Sequence, residues 1–369
     1  MFRLSTNTLL RNASKSSWKG CGTKTARNHK QASQQRGKHT TVALQLDYYM
    51  SPQFAGIAFA LVEGFYRASG IDTIKALSTC PVGLEPERVR QFRDISDDTD
   101  VVVGSIEQNV LIPTLLKEPS LKVKAIAAMF QESPLCLLSL NKSQDGKEKL
   151  QSVGAHEDTV DLLKRILIYD NYQQDPQHSV VMSPRQTKIT DLLEGRLDSI
   201  QAYTTTEALT LERIVENATN GKHTPEDISI TSLEGHNGAK LGYSQVLFAP
   251  EEDTEGGEQR EILKAFLSAT FAGWAMAAKD PEHAARCVEE AQTILKLSDE
   301  ENDHWDRRDL FEYNVQSTKA CCNLVQANET DALHGKIDPQ RWDEANQWLM
   351  NENLKAGFGL DPTIWGAGK

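Results

Sequence analysis

Acids and aromatic residues cluster where apolar runs of this chain end. Asp47, Tyr48 and Tyr49 follow the run Val42 to Leu46, Ser105, Glu107 and Gln108 follow Val101 to Gly104, and Tyr203, Thr205 and Glu207 follow Ile200 and Ala202. Carboxylates accept hydrogen bonds from amines, and tyrosine rings stack on flat or cationic groups. Such a set suits a small, flat molecule with hydrogen-bond donors or a cationic part. The same inventory also allows general acid–base work by Glu107, Glu132, His156 and Glu207. The sequence contains no Ser-His-Asp order, HExxH pair, phosphate-binding P-loop or dinucleotide glycine motif.

These residues need elements to hold them. Val42, Leu44 and Leu46 alternate as a half-buried strand does. In an open α/β sheet the ligand crevice lies at the carboxyl ends of the strands. Ile57, Ala60, Leu61 and Gly64 recur at helical spacing, and Gly70 stops that helix. Strands are expected at residues 74 to 77, 100 to 104, 122 to 129 and 135 to 140. A short helix is expected from Glu87 to Phe92, and another from Ser105 to Leu116, kinked at Pro113. The polar stretch 141 to 150 reads as a loop leading into a helix start at Val153-Gly154-Ala155. That would put His156 at a helix amino terminus, a natural anion site. Glu157 and Asp158 beside it are good helix-cap partners and poor phosphate neighbours. Further on, Val180 to Met182, Ile228 to Leu233 and Tyr243 to Ala249 read as strands, Pro250 to Gly257 as an acidic loop, and Ile262 to Ala278 as a long amphipathic helix. Asp280-Pro281 opens another helix. The tail helix, from Pro339 to Asn351, carries Trp342 and Trp348, which are expected to pack it onto the body.

Composition narrows the setting. The first 46 residues carry nine Lys and Arg and no acid, with many Ser, Thr and Asn and no long apolar segment. This is the composition of an organellar transit peptide, expected to be disordered and to span residues 1–40, and mitochondrion is the expected destination, with plastid as the alternative. The remainder then holds 31 basic against 52 acidic residues, a net charge of −21. Such a body repels nucleic acid and anionic membrane surfaces. No run of about 18 apolar residues is present, so no membrane insertion is expected. The six cysteines form no C-x-x-C pair, so neither a zinc site nor a disulfide scaffold is expected.

Glu63-Gly64-Phe65-Tyr66 followed by Gly70-Ile71-Asp72, the stretch Gly195-Arg196-Leu197-Asp198, and the step Asp280-Pro281-Glu282-His283-Ala284 resemble motifs of one family. This is the sulfonate-binding and thiamine-pyrimidine-synthase-like family, and the resemblance runs to about residue 295. It implies an α/β type II periplasmic-binding-protein fold with two lobes and a ligand cleft between them. Residues 41–134 and 246–300 would form lobe one, 135–245 lobe two, and 301–369 a helical tail on lobe one. Contacts would then come from Asp47, Tyr48, Tyr49, Ser105, Glu107 and Gln108 in lobe one, and from Gln131 and Glu132 at the hinge. Lobe two would supply His156, Thr159, Tyr203, Thr205 and Glu207, with Tyr243 and Ser244 at the return crossover. An aminopyrimidine fits this set, and the resemblance implies a role around the pyrimidine of thiamine. Its synthase branch uses a Lys that binds pyridoxal phosphate, a His four residues on, and a cysteine-rich iron-binding run. Aligned on Gly104, those positions hold Ile106 and Val110, the nearest downstream lysine is Lys117, and Ala239 to Ser244 contains no Cys. Without an amine or soft ligands there, neither pyridoxal phosphate nor iron is expected. A small-molecule binder is therefore the leading expectation. A divergent synthase or another enzyme stands next, then an assembly protein with a vestigial cleft. Expected partners are a small-molecule ligand and, for a homodimer, a second copy of the chain.

Overall fold

Two five-stranded sheets organise the chain in the computed structural model. The structure describes residues 39–140, 151–156, 159–167, 169–170, 173–174, 178–218, 223–297, 307–325, 334–351 and 354–365. The first sheet gathers β1 (Thr41–Gln45), β2 (Thr73–Ala76), β3 (Val101–Ile106), β4 (Val123–Phe130) and β12 (Ser244–Pro250) in the order β2-β1-β3-β12-β4. The second gathers β5 (Leu135–Leu140), β6 (Gln151–Ala155), β9 (His178–Met182), β10 (Ser199–Tyr203) and β11 (Ile228–Ser232) in the order β11-β5-β10-β6-β9. A small hairpin of β7 (Tyr169–Asp170) and β8 (Gln173–Gln174) stands apart. The chain leaves the first sheet at residues 131–134 and returns through 233–243. The return strand therefore arrives from the opposite direction, and β12 lies antiparallel between β3 and β4. Ser244 and Gln245 belong to that strand, so the second lobe ends two residues before the expected 245.

β1 is buried along its whole length, not on one face as its alternation suggested. Parallel strands become continuous apolar runs when helices cover both faces. Val42 and Leu44 pack with α1 (Ala55–Val62), α9 (Gly257–Lys279) and α10 (Pro281–Leu295), while Ala43 packs with α3 (Glu85–Ile95) and α4 (Gln108–Lys117). α1 and α9 approach backbone to backbone. A methyl group added at Gly273 would lie 2.0 Å from the carbonyl oxygen of Gly56. The turn helix α2 (Phe65–Ala68) follows Gly64, whose φ of 74° favours glycine. The expected acidic loop after β12 opens with one helical turn, α8 (Glu251–Thr254). In the second lobe α5 (Val160–Leu167), α6 (Lys188–Leu193) and α7 (Glu207–Ala218) cover the sheet.

Val153-Gly154-Ala155 does not start a helix; it forms the end of β6. Gly154 packs closely there, since a Cβ would meet Leu197 Cδ1 at 2.5 Å and make that side chain shift. The expected loop at 141–150, the acids Glu157 and Asp158, and the basic segment before residue 39 lie outside the described residues.

The tail consists of α11 (Arg307–Val325) and α12 (Pro339–Met350), and it touches both lobes rather than lobe one alone. α11 packs on α10 and α9 and also on α7. In α12, Trp342 is buried against the first lobe, and Trp348 packs with the second-lobe cluster, under the Arg165 guanidinium at 4.4 Å. No helix among the described residues is long and apolar enough to cross a membrane.

Candidate functional site

Residues just past β1, β3, β6, β9 and β10 meet the start of β12 around one cavity of about 70 Å³. The rule that crevices form at strand carboxyl ends explains five of these contributions. β12 joins them because an antiparallel strand begins level with the ends of its parallel neighbours. Asp47, Tyr48, Gln53, Ile106, Glu107, Asn109, Val110, Thr159, Arg185, Tyr203, Thr206, Glu207 and Gln245 line the space, with Val82.

On the first-lobe wall, Asp47 Oδ1 accepts from Ser105 Oγ at 2.5 Å and Oδ2 from Gln245 Nε2 at 3.2 Å. Burial raises the Asp47 carboxyl above the usual range, against those two bonds, its own backbone amide and the charge of Arg185. Gln245 also donates to Gln53 Oε1 at 3.3 Å, while its own carboxamide oxygen is buried without a hydrogen-bond partner among the described residues. Its backbone has a φ of 51°, in the left-handed region that residues other than glycine seldom occupy. Glu107 occupies the N-cap position of α4 without capping it through its side chain, and its Oε1 accepts from Ser244 Oγ at 2.9 Å and from Tyr203 OH at 3.1 Å. The Tyr203 bond crosses the cleft from one sheet to the other.

On the second-lobe wall, Lys188 is buried at the first position of α6. Its Nζ lies 2.6 Å from Glu207 Oε1, 3.1 Å from the Gln201 carbonyl oxygen and 2.7 Å from His156 Nε2. Burial pushes the Glu207 carboxyl up. The Lys188 charge and bonds from Lys188, Thr206 and the Tyr203 amide outweigh it and hold Glu207 well below the usual range. Burial, then Lys188 and Arg185, hold His156 well below its ordinary 6.5, so its ring is neutral near pH 7 and accepts from Lys188. Arg185 reaches over the Tyr48 ring at 5.9 Å, and Tyr48 in turn meets the Tyr49 ring at 4.2 Å.

Of the residues expected at the site, Asp47, Tyr48, Glu107, Thr159, Tyr203 and Glu207 line the cavity. Ser105 and Ser244 stand behind them as donors to Asp47 and Glu107, and Tyr49 stands behind Tyr48. His156 is buried between β6 and α5, its carbonyl accepting from the Val160 amide at 3.0 Å, while its ring accepts from Lys188 instead of facing an anion. Gln108 turns away from the cavity and donates to the Trp342 carbonyl at 3.0 Å and to Asn346 at 2.8 Å. Tyr243 stacks on Trp342 and accepts from the Asp338 amide at 2.8 Å. Gln131 folds back onto the Ala128 carbonyl at 3.2 Å, and Glu132 is exposed. Thr205 is buried beneath α11, its carbonyl accepting from Ser317 at 2.6 Å. Arg185, Lys188, Gln53, Asn109 and Gln245 complete the site and were not foreseen.

Ile106 and Val110, which occupy the synthase branch's Lys and His positions, both line the cavity. The wall at those positions is aliphatic, and the nearby amine of Lys188 is held by Glu207, His156 and Gln201. Ala239 and Leu241, in the place of the cysteine run, are buried apolar residues. None of these positions carries that branch's lysine, histidine or cysteine side chain.

The model of the NMT1/THI5-like family matches residues 51–284. The chain belongs to this family. Its fold is that of solute-binding proteins. The ligand-binding component of an ABC-type import system from Staphylococcus aureus, solved with zinc bound, superposes with a TM-score of 0.52 at 11% identity, covering 89% of this chain and 98% of that one. A putative periplasmic sulfonate-binding protein from Methylobacillus flagellatus gives 0.52 at 14%, covering 89% and 92%. The periplasmic nitrate-binding protein of Synechocystis gives 0.50 at 13%, covering 85% and 81%. No curated protein sequence matches the chain.

Proposed function

We propose that this NMT1/THI5-like protein binds a small, flat, donor-rich molecule of the aminopyrimidine class between its lobes and serves the handling of the thiamine pyrimidine. One observation carries the reading. Asp47, Glu107 and the unpaired Gln245 oxygen present acceptors to one cavity, flanked by the Tyr48 and Tyr203 rings. Acceptors of this kind disfavour nitrate or sulfonate and favour amino and ring N–H donors. The cavity is well below the roughly 300–1,000 Å³ of typical ligand pockets, so entry of a ring requires the lobes to part.

An acid–base enzyme is the weaker reading, because His156 sits behind Lys188 and Glu132 is exposed. A vestigial cleft accounts poorly for buried polar groups that converge from both sheets. Titration calorimetry with the aminopyrimidine of thiamine, ethanesulfonate and nitrate tests the proposal. Binding of the pyrimidine alone is expected. Glu107→Gln should weaken it roughly tenfold to a hundredfold, the value of about 1.5–3 kcal/mol for a hydrogen bond to a charged group. Preference for the anions, or indifference to the substitution, would overturn it. The basic leader further supports action in the mitochondrion. A fluorescent fusion of the full chain that stays outside mitochondria would remove that part.

A further inference from the structure

Away from the cleft, Glu63, His283 and Cys287 bring three different donor atoms together where the end of α1 meets the first turns of α10. His283 Nε2 lies 2.7 Å from Glu63 Oε1 and 3.7 Å from Cys287 Sγ. We propose that these side chains form a binding site for a borderline-soft divalent ion of the zinc class.

The geometry suits tetrahedral coordination. Metal–nitrogen and metal–oxygen distances of about 2.0–2.1 Å and a metal–sulfur distance of about 2.3 Å put neighbouring donors roughly 3.3–3.6 Å apart. The sulfur–nitrogen spacing already matches this. The carboxylate has to give way by about half an ångström, and its side chain is 40% exposed and free of the helix interior.

The scaffold is fixed independently of any ion. His283 and Cys287 are four residues apart, on one face of α10. Asp280 caps the helix by accepting from the His283 amide at 3.0 Å. The imidazole stands edge-on to Phe59, with ring centroids 5.2 Å apart. The local field favours a cation, since Glu63, Glu290 and Asp280 all act on the sulfur as negative charges, opposed by Arg286.

An ordinary ion pair accounts for Glu63 and His283 but not for the buried sulfur beside them. Thiolate, imidazole and carboxylate form a mixed donor set of the zinc type, with a fourth position open to water on the exposed side. An ion held there would tie α1 to α10 and stiffen the first lobe.

Cobalt(II) added to the full-length chain tests the site. Saturation at one ion per chain is expected, with four-coordinate d–d bands and a near-ultraviolet thiolate-to-cobalt band, both displaced by zinc. His283→Gln and Cys287→Ser should abolish the thiolate band, and Glu63→Gln should weaken binding more than tenfold. Glu63 and His283 are partly exposed, so those variants are expected to fold, and circular dichroism checks it. Zinc should raise the unfolding midpoint of the wild type and leave that of His283→Gln unmoved. The absence of a thiolate band at saturating cobalt overturns the proposal. So does a band that survives both His283→Gln and Cys287→Ser, since it would arise from another cysteine.

Discussion

Glu207 on the second-lobe wall meets the buried Lys188 amine at 2.6 Å, whereas Asp47 on the first-lobe wall takes its hydrogen bonds from Ser105 and Gln245. Glu107 likewise accepts from the hydroxyls of Tyr203 and Ser244. The first arrangement neutralises its charge internally and holds α6 to α7. The second bonds its acids through neutral donors, with the Arg185 charge the smallest of the influences opposing the burial of Asp47, a state that an incoming cationic or N–H donor relieves. Two walls built from the same residue types thus divide the work, one structural and one for recognition.

The largest expected effect breaks the structural wall. Lys188→Met leaves Glu207 without its counter-charge, and loss of one partner of a buried pair costs about 3–5 kcal/mol. Urea unfolding reads this directly. Adding Glu207→Gln to Lys188→Met should recover part of the loss, because the uncompensated charge is then gone. A loss below about 1 kcal/mol would mean that the pair is solvated and that the walls do not differ. The same wall should be acid-labile. His156 and Glu207 both titrate below their unfolded values, so the unfolded chain binds more protons and stability falls with falling pH. The His156 contribution starts to be lost below about pH 6.5, and that of Glu207 follows at lower pH.

Asp47 carries the opposite sign, and it sharpens the comparison. Its folded carboxyl titrates above the unfolded one, so its ionisation opposes folding as pH rises past 3.8. Asp47→Asn should therefore raise stability at pH 7 and change little at pH 4, as read by urea unfolding at the two pH values. Pyrimidine affinity should fall in the same variant. Destabilisation at neutral pH would place Asp47 with Glu207 as a structural acid.

Strand ends made much of this site legible. Asp47, Glu107, Tyr203 and Glu207 were found because each follows an apolar run. Gln108 was misread because Glu107 holds the N-cap position of α4 and Gln108 is its first helical residue, which points to the opposite side, under α12. That burial comes from a tail helix more than 230 positions away, which local pattern cannot reveal. Arg185 and Lys188 could have been found by the same rule applied to β9, whose carboxyl end precedes them. Their pairing with a glutamate in another helix could not. Gln245 gave no signal, since nothing in its type announces a positive φ. At the second site, counting cysteines alone excluded zinc. His283 and Cys287 at helical spacing were the readable clue, but Glu63 joins them only through the packing of α1 on α10.

The smallest expected effect tests the bond that joins the two walls. Tyr203→Phe removes the hydroxyl that reaches Glu107 across the cleft. Ser244 still donates to the same carboxylate oxygen, so no buried acceptor is orphaned. The cost should lie near the net value of a single hydrogen bond, about 0.5–1.5 kcal/mol, and appear chiefly as a faster off-rate for the pyrimidine. Thermal unfolding should shift little while stopped-flow dissociation quickens. A stability loss as large as that of Lys188→Met would show that the cleft-crossing bond, and not the lysine–glutamate pair, is what holds the lobes in register.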